Sequence, residues 1–314
     1  MTQKIIIDTD PGIDDAMAIH MAFADPRLEV MGLTTIFGNV TTAIATRNAL
    51  RLVEMARYPA VVVHGENNPA DREAHPPADF VHGAEGFGTI PAADPTGTAV
   101  PQSAAAYLCE QCAAHPGEII ICAVGPLTNL AAALTHDPAI ASNVKSVVIM
   151  GGSFAYHGNV SACAEANIWN DATAADAVFA AAWDVTMVGL DVTEKTQCTP
   201  EDFAALRRTA PIIGGFLDDA VQFYFDFHEA KTTKRTCFMH DPSAILAITD
   251  PDLFGMQDVP LEVVCSGEEI GRTKQSDQLG RRPVHVAMTV DDSAARAKFI
   301  ALVSAADDRR QERA

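Results

Sequence analysis

Residues Ile5–Ala16 read IIIDTDPGIDDA, and the fold turns on how this stretch is parsed. Three successive isoleucines suit a strand buried on both faces, which has no solvent side to carry alternating polar residues. The apolar run ends at Asp8, and Pro11 and Gly12 break the strand. From Ala16 the pattern reads as helix. Asp8, Asp10, Asp14 and Asp15 therefore fall between the carboxyl end of a strand and the start of a helix, the edge where open α/β sheets bind ligands.

The same alternation continues outward. Further strands are expected at Val30–Ile36, Ala60–His64, Glu118–Val124, Ser146–Met150 and Val185–Leu190, then at Leu261–Cys265 and Val284–Val290. Helices are expected at Thr41–Arg57, Thr128–Thr135 and Thr173–Ala182. Strands alternating with helices imply βαβ units. The expected fold class is α/β: a single domain over residues 1–314, with a mostly parallel central sheet, helices on both faces and an open, Rossmann-like layout. Asn67 to Pro101 is rich in Pro, Gly, Ala and Asp and reads as a long irregular excursion of the kind that often carries function. Pro211–Lys231 reads as a helix with an aromatic cluster from Phe223 to Phe227 followed by His228.

Composition excludes several classes. The 314 residues carry a formal net charge of −19, which argues against a nucleic-acid backbone binder. Seven scattered cysteines do not make a disulfide framework. Cys109 and Cys112 form a CxxC, but within SAAAYLCEQCAA they read as two helix cysteines without a second zinc pair. The chain runs at once into KIIIDTDPG, so no signal peptide is expected, and no apolar run reaches the ~18 residues of a membrane span. A cytoplasmic protein with no membrane partner fits these features.

Four aspartates within eight residues repel one another unless something compensates. A helix N-terminus offsets roughly 0.3–1 kcal/mol per charge. A divalent cation offsets far more, and hard cations such as Ca²⁺ take carboxylate, carbonyl and water oxygens. Capping alone accounts for one or two of these acids. Asp8 by itself reads as a support behind the site.

The segment DTDPGIDDA, Asp8–Ala16, resembles the N-terminal signature of the nucleoside hydrolases, the inosine-uridine-preferring and ribopyrimidine nucleosidase group. Similar segments follow in order. They are GLTTIFGNV (Gly32–Val40), HGAEGFG (His82–Gly88), VGPLTNL (Val124–Leu130), Met150-Gly151-Gly152, Gly158-Asn159, EANIWN (Glu165–Asn170) and His240-Asp241-Pro242. Glu85 stands where the family usually has Asp, and Phe87 where Leu is common.

The resemblance implies a calcium-dependent enzyme that releases the base from a ribonucleoside. By it, Asp10, Asp15, Asp241 and the Val124 carbonyl look like metal ligands, and Asp10 also like the base that deprotonates a calcium-bound water. Asp14, Asn39, Asn167 and Asp241 look like partners of the ribose 2′- and 3′-hydroxyls, and Asn159 and Glu165 of the 5′-hydroxyl. Met150 and His82 look like pocket walls, and His240 like the residue beside the leaving base. Tyr224 and His228, four apart on a helix, are candidates for the nucleobase pocket or for core packing. His82 and His240 favour a pyrimidine or broad base preference, and the family suggests a homodimer or homotetramer.

The roles agree with the chemistry. Glycosidic cleavage passes through an oxocarbenium-like transition state, which needs a nucleophile, charge stabilisation at the sugar and help for the leaving group. Two other readings compete. Asp8-Thr9-Asp10 resembles the DxD of haloacid-dehalogenase-type phosphatases, with Asp8 as nucleophile and Mg²⁺ bound. A catalytically inactive nucleoside- or calcium-binding protein is the other.

Overall fold

The computed structural model describes residues 2–313. Its strands, in chain order, are β1 (Gln3–Thr9), β2 (Leu28–Thr35), β3 (Val61–His64), β4 (Ile119–Ala123), β5 (Ser146–Met150), β6 (Val185–Val188), β7 (Gln197–Cys198), β8 (Cys237–Phe238), β9 (Phe254–Val263), β10 (Thr273–Gln275) and β11 (Pro283–Val290). Nine of them form one sheet in the order β10-β9-β11-β6-β5-β4-β1-β2-β3, and β7 and β8 form a separate antiparallel pair. From β11 to β3 every neighbour is parallel, while β9 runs antiparallel to both β11 and β10. The expected α/β class with a mostly parallel sheet is what the chain adopts.

The order β3-β2-β1-β4-β5-β6 winds outward in one direction from β1 and then in the other from β4. The connections leaving β1 and β4 therefore diverge, and a crevice opens at their carboxyl ends. The aspartate segment leaves β1 at that point, and Val124 leaves β4 beside it. Ile5, Ile6 and Ile7 of β1 and all of β4 are buried, as continuous apolar strands require.

Helix Ile13–Ala24 is buried over its whole length, so it lies inside the structure rather than on its surface. It packs against helix His240–Thr249 and helix Ile213–Thr232. The N-termini of the first two, carrying Asp14-Asp15 and His240-Asp241, are thereby brought to one place.

The strand expected at Val185–Leu190 ends at Val188, with Leu190 opening a short helix, and the pair β7 and β8 was not expected; the largest departure is at the far margin of the sheet. The strand expected at Leu261–Cys265 starts at Phe254 and ends at Val263, and β10 was not foreseen. The segment before Leu261 and β10 include exposed polar residues, Gln257, Asp258, Lys274 and Gln275, that interrupt any apolar run. They lie at the antiparallel margin of the sheet, where one face meets solvent. Cys109 and Cys112 sit in helix Ala104–Ala114 as free thiols. Among the described residues no helix is long and apolar enough to cross a membrane.

His20 lies on the buried helix with both ring nitrogens unpartnered, edge-on to Phe23 and Phe216 at 6.3 and 6.1 Å between ring centroids. Burial pushes its pKa from 6.5 down to about 3. Between those values the unfolded chain takes up a proton that the folded chain refuses, so His20 lowers stability as pH falls through that window. His20→Leu is expected to gain on the parent by up to roughly 1.4 kcal/mol for each pH unit below that upper value. Denaturant unfolding of both proteins at pH 7 and pH 5 checks this, and an equal gap at the two pH values refutes it.

Candidate active site

The floor of the crevice is laid by β1. Asp8 accepts the Thr34 hydroxyl at 2.5 Å and the Asn129 amide at 2.7 Å, which ties β1 to β2 and to the helix after β4. Its burial raises its pKa to about 7. This is the supporting position expected of it.

Asp15, in the first turn of helix Ile13–Ala24, accepts four hydrogen bonds. They come from the Thr9 hydroxyl (2.5 Å), the Asp10 amide (3.2 Å), the Gly12 amide (2.9 Å) and Asn39 Nδ2 (3.0 Å). Asp10 accepts the Asn39 amide on Oδ2 at 2.6 Å, and its buried Oδ1 has no partner. Two glycines face this carboxylate. A Cβ on Gly125 would stand 2.7 Å from Oδ1, and one on Gly38 would collide with Oδ2.

Carboxylate oxygens of Asp14, Asp15 and Asp241 lie within 4.8 Å of one another, and all three residues are buried. Sequence reasoning put Asp14 on the sugar and Asp10 on the metal; the structure gathers Asp14 with Asp15 and Asp241, with Asp10 turned to the Asn39 amide beside them. Oδ1 of Asp14 is buried without a partner, and among the described residues Asp241 accepts no hydrogen bond. Burial first, then Asp14, Asp15 and Asp10, push Asp241 well above the usual carboxylate range. Burial and Asp15 do the same to Asp10, and burial raises Asp14 to about 6. Crowded dry carboxylates with open lone pairs need positive charge, and two helix N-termini supply only a fraction of it. An all-oxygen donor set suits a hard divalent cation, so this cluster can hold a metal ion.

Above it opens a cleft of about 860 Å³. Asp14, Asn39, His82, Val124, Met150, Asn159, Glu165, Asn167, His228, His240 and Asp241 all line it, so the structure brings together eleven of the thirteen residues singled out from the sequence. The other two, Asp10 and Asp15, lie fully buried in the floor. Asn167 Nδ2 donates to the carbonyls of Val124 (3.0 Å) and Met150 (3.1 Å), which orients its amide across the ends of β4 and β5. Glu165, expected at a 5′-hydroxyl, accepts the amides of Gly152, Asn167 and Ile168 and so caps helix Ala166–Asn170. Asn159 is exposed at the mouth, its Oδ1 accepting the Ala166 amide.

Part of the cleft wall is aromatic. His228 packs edge-on to Tyr224 and Phe238, at 4.3 and 4.5 Å between ring centroids. Tyr224 in turn reaches Asp14 Oδ2 at 3.4 Å. His82 Nδ1 accepts the Ile13 amide at 3.2 Å, so its proton sits on Nε2. Burial lowers His82 to about 4, and His228 and His240 to about 3. Burial thus favours the neutral form of all three at pH 7.

Neither departure in HGAEGFG disturbs His82. The longer side chain of Glu85 pairs outward with Arg47 at 2.6 Å, and Phe87 is buried edge-on to Phe216. Sequence reasoning assigned no role to three residues that shape the site. Asn129 lies within VGPLTNL; Asp191 and Thr193 lie just past β6, a strand end at the same sheet edge, which is the signal that could have marked them. Asp191 accepts the amides of Phe154 (2.8 Å) and Ala155 (2.7 Å), and Thr193 Oγ1 lies 2.8 Å from His240 Nδ1.

Comparison with known proteins agrees with this geometry. The family model for inosine-uridine preferring nucleoside hydrolase matches residues 5–297. Probable uridine nucleosidase 1 of Oryza sativa subsp. japonica is 43% identical over 299 residues, 92% of each chain. A solved plant nucleoside hydrolase superposes with a TM-score of 0.94 at 38% identity, covering 97% of this chain and all of that one. A purine-preferring ribonucleoside hydrolase from Gardnerella vaginalis gives 0.93 at 32% identity, covering 97% and 99%. Fold and site together define a hydrolase acting on N-glycosyl bonds. The chain belongs to the inosine-uridine preferring nucleoside hydrolase family.

A cation that binds only the folded state raises stability by mass action. Adding Ca²⁺ or Mg²⁺ to chelator-treated protein should raise the melting temperature, by roughly 5 °C at a hundredfold excess over Kd. Asp241→Asn, which removes one repelling charge, should shrink that shift without lowering the metal-free melting temperature. An undiminished shift in the variant removes Asp241 from the cation site.

Proposed function

We propose that this enzyme hydrolyses ribonucleosides to free base and ribose, with calcium in the acidic cluster and Asp10 as the general base. The observation that carries the reading is the Asp10 carboxylate: one oxygen fixed by the Asn39 amide, the other open, set beside the Asp14–Asp15–Asp241 cluster below a cleft with three neutral histidines. Asp10, Asp15, Asp241 and the Val124 carbonyl would hold the ion, with Asp14 in reach. The bound cation supplies positive charge that acidifies water and aligns the sugar hydroxyls. Calcium is favoured because the donors are carboxylate and carbonyl oxygens.

The remaining work falls to the protein. Asp10 takes a proton from the attacking water as its oxygen bonds to C1′. The C1′–N bond breaks, and its electron pair leaves with the base beside His240. Asp14, Asn39 and Asn167 bond the 2′- and 3′-hydroxyls, while Asn159 and Glu165 flank the 5′ end. A pyrimidine preference accords with the probable uridine nucleosidase relative, and a broad one with the likeness to a purine-preferring hydrolase. The phosphatase reading loses support because its nucleophile, Asp8, is fully buried, with Oδ1 held by Thr34 and Asn129.

A panel of uridine, cytidine, inosine, adenosine and their 2′-deoxy forms, assayed for free base and reducing sugar, tests the function. Ribonucleosides should be cleaved, deoxynucleosides poorly, and activity should disappear with chelator and return with calcium. A site built for hydroxyls leaves buried polar groups unpaired when they are missing. No release from any nucleoside would sink the proposal.

Two variants test the roles. Asp10→Ala should lower kcat by roughly 10²–10⁴-fold in a folded protein; near-normal turnover would remove it as the base. His240→Ala should slow uridine and inosine far more than p-nitrophenyl riboside, whose leaving group needs little help. Equal losses would exclude leaving-group assistance.

A further inference from the structure

Thr193 ends the short helix Leu190–Thr193 that follows β6. Its side chain is fully buried, and Oγ1 lies 2.8 Å from Nδ1 of His240. Among the described residues this hydroxyl has no other hydrogen-bond partner. Two arrangements satisfy the distance. If Nδ1–H donates, the buried hydroxyl hydrogen is left without an acceptor and forfeits the bond it had in water. If the hydroxyl donates to Nδ1, no group is orphaned.

We propose that Thr193 is a positioning residue: its hydroxyl donates to Nδ1 and fixes His240 as the tautomer protonated on Nε2, presenting an N–H to the departing base. The inference rests on the reading of His240 given above. Nε2 has no protein partner and is not enclosed, unlike Nε2 of His228, and His240 lines the cleft. The short helix is itself held, because Asp191 accepts the amides of Phe154 and Ala155 from the opposite loop. Thr193 is thus a fixed point against which the imidazole is set.

The chemistry balances without moving a proton from histidine. As the C1′–N bond breaks, its electron pair passes to the base, where Nε2–H bonds the developing negative charge and keeps its proton. Asp10 ends protonated from water, and the base takes its proton from solvent. The opposite tautomer would aim a bare nitrogen lone pair at that growing charge, opposing the break.

The test joins a spectroscopic readout to kinetics on the full chain. Histidine-¹⁵N spectra, with His240 assigned by its loss in His240→Ala, should show Nε2–H in the parent and a mixture of tautomers in Thr193→Val. The same variant should lose about tenfold or more in kcat on uridine and inosine, less than about threefold on p-nitrophenyl riboside, and Thr193→Ser should restore most of the loss. Nδ1–H in the active parent overturns the inference even if Thr193→Val fails to fold. An unchanged tautomer in Thr193→Val, or equal losses on all three substrates, overturns it as well. A parent without turnover on any ribonucleoside overturns instead the function on which it rests, a failure read from the activity assay rather than the spectrum.

Discussion

The repulsion among carboxylates buried at the carboxyl end of β1 is the constraint around which the rest is arranged. Asp10, Asp14, Asp15 and Asp241 are all desolvated, and each raises the cost of ionising its neighbours. A protein tolerates such a cluster only where hydrogen-bond donors, helix N-termini or a cation answer it. Asp15 is answered in part by four donors. Asp10 and Asp14 each retain a buried oxygen with no partner. Those two open oxygens line the same acidic floor as Asp15 and Asp241.

Sheet topology makes the arrangement possible. Reversal of winding between β1 and β4 opens the crevice, and the buried helix Ile13–Ala24 packs on helix His240–Thr249 so that two distant acid-bearing N-termini meet there. Asp241 is thereby delivered from more than two hundred residues away. The long excursion after β3 returns the same way: His82 is pinned to the Ile13 amide, and farther out His75 stacks on Trp169 at 3.8 Å while Arg72 donates to the Asn170 carbonyl at 2.7 Å. Part of the cleft lining, from His75 to His82, thus comes from a segment with little regular structure of its own.

What the sequence disclosed follows from which forces act locally. The parallel strands were readable because burial on both faces leaves apolar runs such as Ile5–Ile7, and the site because acids crowd where a strand gives way to a helix. The antiparallel strand from Phe254 was only partly readable, since its exposed residues carry no apolar pattern. Positioning contacts were hidden for a different reason. Thr193 and His240 are 47 residues apart, and nothing in either neighbourhood signals that β6 and helix His240–Thr249 place one against the other. The grouping of Asp14 with Asp15 and Asp241 likewise depends on side-chain directions that spacing does not define.

The pair of glycines around Asp10 has a consequence for how this site can vary. Neither is required there for charge or hydrogen bonding; what each provides is clearance, one beside each carboxylate oxygen. The Asn39 amide fixes the proposed base, and the two glycines keep the space that this orientation needs, since a Cβ at either position would crowd a carboxylate oxygen. Drift at these two positions would act as a steric dial on the angle of the carboxylate, leaving every charged group of the site in place.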